Sequence, residues 1–298
     1  MNNNVQILLR YVCDGDIKKA KQQARIILGG ITTKKDEQFR DDMLRKLDAK
    51  GQFIELPSNL KGLLVAEDSE HFPEGKFLLR KKEANAVEET LSLFRAADRL
   101  AEMGIPYLPA LILHGESGCG KTELARYIAH KAKLPFVYVR FSNVVSSYLG
   151  STQSNIARIF DYARSAPCVL CFDEIDAVGM ARGQSNDVGE MNRIVIALMQ
   201  ELDQLPNNVI IIGTTNRFDR LDPALIRRFP LQYELLPLTP TEAMELAQKF
   251  FRYTGLDTAK LESWYSTAFT ENIPASSVVR VCTEVVVSHI MKEHEYEH

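Results

Sequence analysis

A glycine-rich run at residues 115–122 has the residue types and the spacing needed to wrap phosphate groups. Its pattern, G-x-x-x-x-G-K-T, follows an apolar run and precedes Leu124, Ala125, Ile128 and Ala129 at helical spacing, which is the context that a phosphate-binding loop requires. The glycines let backbone N–H groups curl around phosphate oxygens, and the start of a helix adds partial positive charge. We favour this interpretation over a plain strand-to-helix turn, because chance gives the combination in about one chain in a hundred of this size.

Two side chains of this loop have distinct expected roles. Lys121 would neutralise the terminal phosphates of a nucleotide, and the Thr122 hydroxyl would reach Mg²⁺. The residues expected to surround the phosphates are Gly115, Glu116, Ser117, Gly118, Cys119, Gly120, Lys121, Thr122 and Glu123. Positive potential at this position can favour the thiolate of Cys119, although we favour an ordinary thiol.

Two carboxylates follow a second apolar run. Residues 169–172 are Val-Leu-Cys-Phe and lead directly into Asp173 and Glu174. Asp173, at the end of the predicted strand, is placed to hold Mg²⁺ together with Thr122, and Glu174 is the candidate general base for an attacking water. An Asp-Glu pair after a strand is commonly only a loop, but its place on a later buried strand of the same sheet favours the catalytic role.

The five cysteines give no sign of a disulfide framework, because their number is odd and their spacing is irregular. Cys168 and Cys171 form a C-x-x-C pair inside an apolar run, where residues three apart on a strand point to opposite faces. No further Cys or His stands at a spacing that zinc would need. We therefore favour two small core residues over a metal or redox pair.

Short apolar runs alternate with helical stretches between residues 110 and 235, which predicts an α/β domain with a largely parallel sheet. The predicted strands are 110–113, 136–139, 169–172, 209–212 and 232–235. Beyond Pro237 only helices are expected, at 241–251, 259–269 and 276–294. The predicted organisation is an N-terminal helical domain at 1–50, a linker at 51–80, the α/β part at 81–237 and a small helical part at 238–298.

The N-terminal segment combines helical spacing with basic character. Two antiparallel helices are expected before Gly29 and Gly30, and Phe39, Met43 and Leu47 mark a third. Residues 1–50 carry a charge of about +4 and the remainder about −7. A solvated face explains this asymmetry most simply, and a docking surface is the alternative.

Composition limits the class of protein and its partners. With 45% hydrophobic and 25% charged residues, the chain is globular rather than disordered, collagenous or coiled-coil. The net charge of −3 provides no overall positive field to gather nucleic acid or an anionic membrane. No apolar stretch approaches the length of a membrane span, and the first residues lack the pattern of a signal peptide, so we expect a soluble, cytoplasmic protein.

Further segments give the chain a resemblance to a known family. Val209 to Asn216 is similar to the strand that ends in a polar sensor residue, here Asn216, and Leu221 to Phe229 is similar to the segment that carries arginine fingers. These segments, the phosphate loop and the acidic strand occur in the family's order over about residues 80–290. The chain thus resembles the AAA family of ATPases, which belongs to the AAA+ group of P-loop proteins.

The resemblance implies a parallel five-stranded sheet of order 5-1-4-3-2 with a helical lid. It also implies ATP and Mg²⁺ bound between neighbouring subunits of a ring of identical chains, usually a hexamer. An arginine from the next subunit would compensate charge on the transferring phosphoryl group, so that hydrolysis would depend on assembly. Arg227 and Arg228 fit that role, with a solvated basic pair as the alternative, and Asn216 would act as the sensor.

A pore loop is implied as well. Tyr148, Leu149 and Gly150 correspond to the aromatic-hydrophobic-Gly loop of members that translocate proteins. A ring of tyrosines can insert between the side chains of an extended polypeptide and grip it through apolar area. We favour this role for Tyr148 over that of a buried tyrosine.

The sequence departs from the family pattern at several points. The phosphate loop has Glu116, Ser117 and Cys119 where many members have Pro-Pro and Thr, and Arg227 and Arg228 are adjacent where many members insert Pro-Gly. The compact arginine pair resembles the meiotic clade, whose members remodel proteins. Ser276 stands where other AAA+ branches have a second sensor arginine, which leaves the lid contacts undefined.

Three functions fit the resemblance. The first is a ring ATPase that pulls on or remodels a protein substrate, and the second is a nucleotide-gated regulator of a partner effector such as a protease. The third is a DNA-dependent motor, which the acidic charge balance argues against because phosphate contacts need clustered Lys and Arg. A simple nucleotide kinase would leave Asn216 and the arginine pair without a purpose.

Overall fold

The computed structural model describes residues 3–13, 17–30, 40, 56–105, 107–141, 144, 151–165, 167–177, 188–256 and 268–295. Contacts divide the chain into two compact units, Met1–Gln52 and Phe53–His298. The first unit contains helices α1 (Asn3–Cys13) and α2 (Ile17–Gly29), which contact each other and bury Ala20 and Leu28. The third helix predicted near Phe39, Met43 and Leu47 lies outside the described residues.

The second unit is built on a six-stranded sheet. Its strands are β1 (Leu64–Glu67), β2 (Ala110–His114), β3 (Phe136–Val139), β4 (Val169–Phe172), β5 (Ile210–Thr215) and β6 (Leu231–Glu234). They are ordered β1-β3-β4-β5-β2-β6, with β1 antiparallel to β3 and all other pairs parallel. The α/β class is therefore confirmed, and the five parallel strands, numbered along the chain, follow the order 5-1-4-3-2.

Strand β1 corrects the interpretation of residues 51–80 as a linker. Leu64 pairs with Val139 and Glu67 with Phe136, so this segment extends the sheet at its edge to six strands rather than five. Arg126, in the helix that follows the phosphate loop, donates from Nε to Glu67 Oε2 at 2.7 Å and so links β1 to that helix. Only the first residue of β1 is buried, which explains why its sequence shows weak periodicity.

Helices cover both faces of the sheet. They are α3 (Lys81–Glu102), α4 (Lys121–Ala132), α5 (Ser151–Ser165), α6 (Val188–Leu202) and the short α7 (Pro223–Ile226). Leu111 and Leu113 share one core with α3 and α4, whereas Ile112 shares the opposite core with α5 and α6. This alternation follows the period of two along a strand. Because both faces are covered, the strands are continuous apolar runs in the sequence.

Two C-terminal helices, α8 (Pro240–Thr254) and α9 (Ala275–Glu295), contact each other around a separate apolar core. Thr239 caps α8: its Oγ1 accepts from Glu242 N, and its own N–H donates to Glu242 Oε2 at 2.9 Å. Most of the helix predicted at 259–269 lies outside the described residues. None of the helices in the described part of the chain is long and apolar enough to cross a membrane.

Candidate functional site

A cavity of about 610 Å³ lies where the parallel strands end and the C-terminal helices approach the sheet. The phosphate loop and the start of α4 line it with residues 117–123, and the ends of β4 and β5 contribute Asp173, Glu174, Thr214, Thr215 and Asn216. Segment 73–83 and helices α8 and α9 supply the remaining, mostly apolar wall. The two predicted motifs are therefore brought to one place, as expected for the carboxyl edge of a parallel sheet.

Glycines shape the phosphate loop at two close approaches. Gly115 has φ of 134°, and a Cβ there would lie 2.1 Å from Leu235 O. Gly118 has φ of 80°, and a Cβ there would lie 2.2 Å from Ser276 Oγ. Both backbone conformations belong to the region that glycine adopts at low cost. The loop then enters α4 at Lys121, so that the start of this helix faces the cavity.

The side chain of Lys121 is buried, with only 8% of the residue exposed. Its Nζ donates to Gly115 O at 2.9 Å, Glu116 O at 2.7 Å and Asn216 Oδ1 at 2.7 Å. Burial lowers the pKa of Lys121, and the nearby acidic groups oppose that shift only in part. Within the described chain no carboxylate forms an ion pair with this ammonium. A buried cation with only neutral partners is a favourable place for an anionic ligand.

Thr122 and Asp173 form the part of the site that suits a metal ion. Thr122 Oγ1 lies 3.5 Å from Asp173 Oδ2, so a hydroxyl and a carboxylate oxygen converge beside the phosphate loop. Oxygen ligands of this kind, few in number and next to phosphate groups, are what Mg²⁺ uses in nucleotide sites. The residues present therefore fit the ion that the sequence predicted.

Two further hydroxyls hold Asp173. Tyr138 on β3 donates to Oδ2 at 2.9 Å, and the buried Thr214 on β5 donates to Oδ1. Burial, together with the hydrogen bond to Asp173, raises the pKa of Tyr138 to about 12, so its phenol stays protonated. Neither residue was identified from the sequence, because hydroxyls within apolar strands carry no motif. The only signal was their position near the ends of strands that flank the acidic one.

Glu174 is exposed and sits at the edge of the cavity. Its φ of 52° places a non-glycine residue in the left-handed region, which costs conformational energy and is often found at functional sites. The backbone N–H of Glu174 donates to Thr214 Oγ1 at 3.4 Å. The carboxylate is thus presented to solvent and to the cavity rather than to the core.

Four of the five cysteines, Cys119, Cys168, Cys171 and Cys282, are buried, whereas Cys13 is exposed. Burial raises the pKa of Cys119, although Lys121 pulls it in the other direction, and this supports the ordinary thiol. Burial alone raises the pKa of Cys168 to about 12, and burial also raises that of Cys171. Within the described residues no cluster of three or more His, Cys, Asp or Glu side chains could hold a metal ion.

Arg80 and Ser276 also line the cavity, although neither was predicted to do so. Arg80 donates from Nε to Glu83 Oε1 at 2.8 Å and from Nη1 to Pro237 O at 3.4 Å. Ser276 N donates to Gly118 O at 3.0 Å, so α9 begins against the phosphate loop. This contact defines how the C-terminal helices meet the loop in the absence of an arginine at position 276.

The arginine pair lies outside the cavity of its own chain. Arg228 donates from Nε to Asp203 Oδ1 at 2.9 Å and from Nη2 to Asp203 Oδ2 at 2.8 Å, and Nη1 donates to Ala224 O at 2.8 Å. Arg227 is exposed, and no other residue in the described part of the chain pairs with its side chain. The two arginines are therefore not equivalent. The predicted pore loop, Tyr148, Leu149 and Gly150, lies outside the described residues.

Comparison with known proteins agrees with this geometry. Residues 111–236 match the family model described as "ATPase family associated with various cellular activities (AAA)". An uncharacterized AAA family ATPase, y4kL of Sinorhizobium fredii, is 32% identical over 203 residues, covering 68% of this chain and 60% of the relative. The peroxisomal ATPase PEX6 of Arthrobotrys oligospora is 34% identical over 226 residues, covering 70% of this chain and 19% of the relative. Human PEX6 is 41% identical over 143 residues, covering 47% of this chain and 14% of the relative.

The chain spans 60% of the length of y4kL and less than a fifth of either PEX6 protein. The matched region extends from β2 to the residues just after β6 and so includes the phosphate loop, the acidic strand end and the arginine pair. The fold, the cavity and these relatives lead to one conclusion, that residues 111–236 of this chain form an AAA ATPase domain.

Proposed function

We propose that this chain binds ATP with Mg²⁺ in the cavity and hydrolyses it to ADP and phosphate. The observation that carries the proposal is the buried Lys121 ammonium, whose partners are all neutral, placed beside Asp173, Glu174 and Asn216. A triphosphate would supply the missing negative charge to Lys121. Residues 115–123 would surround the phosphates, and the apolar wall from segment 73–78 and α9 would receive the base.

Thr122 and Asp173 are the residues that would hold Mg²⁺, which would neutralise charge on the β- and γ-phosphates. Glu174 would accept the proton of the attacking water, because its carboxylate is exposed at the cavity edge rather than tied to a core partner. Asn216 would bind the terminal phosphate or the water through its amide, once a phosphate takes its place as partner of Lys121.

We further propose that a second copy of the chain completes the site in a ring of six. The family resemblance suggests this assembly, and the position of the arginines outside their own cavity supports it.

Arg227 is the better candidate for the residue that acts across the subunit boundary, because its guanidinium is exposed and has no partner within the described chain. Arg228 would instead position this segment through its two hydrogen bonds to Asp203.

The work of the ring is proposed to be the remodelling or threading of a protein, with Tyr148 in the pore. The predicted aromatic loop and the net charge of −3 support a protein rather than a nucleic acid as the substrate. ATPase stimulation separates the candidates: an unfolded protein should stimulate a threading motor, a single folded partner should stimulate a regulator, and DNA should stimulate a DNA-dependent motor.

Matched variants test the proposed reaction. Lys121→Ala should weaken ATP binding about 10- to 100-fold, because it removes charge-assisted hydrogen bonds to the phosphates. Glu174→Gln should keep ATP binding but slow hydrolysis by about 100-fold or more, because it removes only the general base. Lys131→Ala, at the far end of α4, and Glu271→Gln, on the surface, serve as controls that should behave as wild type. Normal hydrolysis by the Glu174→Gln protein would refute the assignment of the base.

A further inference from the structure

Hydroxyl groups from the two neighbouring strands donate hydrogen bonds to both oxygens of the Asp173 carboxylate. Tyr138, on β3, donates to Oδ2 at 2.9 Å, and Thr214, on β5, donates to Oδ1. Strand β4, which leads into Asp173, lies between these two strands in the sheet. The carboxylate is thus held from both sides of its own strand.

This arrangement leaves acceptor positions free on both oxygens of Asp173, and the one on Oδ2 is nearest to the phosphate loop. Each carboxylate oxygen can accept about two hydrogen bonds, so one acceptor position on Oδ2 remains after Tyr138 has donated. Thr122 Oγ1 lies 3.5 Å from the same oxygen. The hydrogen bonds from Tyr138 and Thr214 therefore determine which oxygen of Asp173 faces Thr122 and the phosphate loop.

Thr214 has a second role in the same contact. Its residue is fully buried, and its hydroxyl accepts from the backbone N–H of Glu174 at 3.4 Å while donating to Asp173. Water cannot readily replace a hydroxyl in that position, because the side chain has no exposed surface. One hydroxyl thus orders both acidic residues at the end of β4.

We infer that Tyr138 and Thr214 are positioning residues that orient Asp173 and thereby set the affinity of the site for Mg²⁺. The inference rests on the proposed function, since it assumes that Asp173 and Thr122 hold this ion. Groups that orient a metal ligand typically change metal affinity 10- to 100-fold when they are removed. If the hydroxyls instead mainly competed with the metal for Asp173, their removal would raise the affinity for Mg²⁺ rather than lower it.

The test follows the fluorescent nucleotide mant-ADP as it binds to the full chain, first in EDTA and then over a range of free Mg²⁺. Tyr138→Phe and Thr214→Val each remove one hydroxyl with little change in shape. Each variant should need about 10-fold more free Mg²⁺ to reach half of the magnesium-dependent change in fluorescence. The affinity for mant-ADP in EDTA should stay unchanged. Thr214→Ser keeps a hydroxyl and should restore wild-type behaviour. Tyr162→Phe removes a half-buried phenol from α5, outside the cavity lining, and should have no effect.

Three results would overturn the inference: an unchanged Mg²⁺ requirement, a lower one, or an equal loss of affinity with and without Mg²⁺, which would indicate a general folding defect. Failure of the proposed function looks different. If wild-type protein bound no mant-ADP, or bound it without any response to Mg²⁺, the nucleotide and metal assignments would both fail, and the positioning role would fail with them. If the wild-type protein responds to Mg²⁺ and the Tyr138→Phe and Thr214→Val proteins have the same Mg²⁺ requirement, only the positioning role is refuted.

Discussion

Lys121 Nζ lies 2.7 Å from Asn216 Oδ1, which joins the phosphate loop to the end of β5 through side chains 95 residues apart. Asn216 is exposed to the cavity, and the adjacent Thr215 is buried and donates to Asp176 Oδ1 at 2.6 Å. The loop that carries Asn216 is therefore anchored, while the amide itself can exchange one partner for another. A bound phosphate would compete with Asn216 for the ammonium.

Replacing Asn216 should separate binding from turnover. Asn216→Ala should leave ATP affinity close to wild type, because Gly115 O and Glu116 O still hold Lys121. Hydrolysis should fall about 100-fold, the typical cost of one lost hydrogen-bond donor at a reacting group. ATP affinity and single-turnover hydrolysis measured on the same protein check this. A loss of affinity with an unchanged hydrolysis rate would show that Asn216 serves the ground state instead.

A side chain at position 118 should lower the stability of the folded chain through two effects, the positive φ and the contact with Ser276, and a matched variant separates them. Alanine at this position combines a positive φ with a Cβ 2.2 Å from Ser276 Oγ, whereas Gly104 has a similar φ of 73° and open space around it. Gly104→Ala should therefore cost about 1 kcal/mol of stability, from φ alone. Gly118→Ala should cost more, because the Ser276 hydroxyl must turn away from the added Cβ, which also lies 3.3 Å from the Cβ atoms of Pro274 and Ser276.

Urea unfolding without nucleotide measures both costs. The double variant Gly118→Ala, Ser276→Ala removes the clashing oxygen and should recover most of the excess over Gly104→Ala. Equal stability losses for Gly118→Ala and Gly104→Ala would mean that the contact between α9 and the phosphate loop does not constrain the folded chain.

His114 should make stability depend on pH. Its ring stacks on Phe218 with centroids 4.3 Å apart, and burial lowers its pKa from 6.5, with Glu234 opposing and Lys121 adding to the shift. Below pH 6.5 the unfolded chain binds a proton at His114 more readily than the folded chain, so stability is fully present above that pH and falls as pH drops.

The non-titrating variant His114→Gln should lose less stability than wild type between about pH 7.5 and about pH 5.5. Urea unfolding midpoints at the two pH values give the comparison. If both proteins lose the same amount, titration of His114 contributes nothing and other groups account for the acid sensitivity.

Local patterns predicted the parallel strands and the phosphate loop because those features are encoded within a few residues. The run Val169–Phe172 is buried throughout, and Lys121 follows its glycines directly, so spacing alone locates them. Strand β1 escaped prediction because its stability comes from pairing with β3, about 70 residues away, and only Leu64 is buried.

The supporting side chains of the site were not predictable for the same reason. The bond from Tyr138 to Asp173 depends on how β3 and β4 align, and the two hydrogen bonds from Arg228 to Asp203 depend on the turn that follows α6. Neither partner can be read from sequence spacing. The sequence suggested two similar arginines, and only the folded chain distinguishes them.

The difference between the arginines gives a specific expectation. Arg227→Ala should slow turnover while leaving ATP affinity within its own subunit intact, because Arg227 does not line its own cavity. Arg228→Ala should lower stability as well as turnover, because it breaks contacts with Asp203 and Ala224 in the same chain. Thermal melting and ATPase assays of the two variants compare these effects.

Mixing two impaired variants tests most directly whether neighbouring subunits share one ATPase site. Arg227→Ala protein keeps Lys121 and Glu174, and Lys121→Ala protein keeps Arg227, so a mixed ring contains interfaces that join an intact site to an intact arginine. Sedimentation must first show that both proteins assemble and exchange subunits. We predict partial recovery of ATP hydrolysis above the level of either protein alone, since other interfaces remain defective. Mixed rings with no activity above the two pure variants, together with weak ATP binding by Arg227→Ala alone, would contradict the account and place the arginine's action within its own subunit.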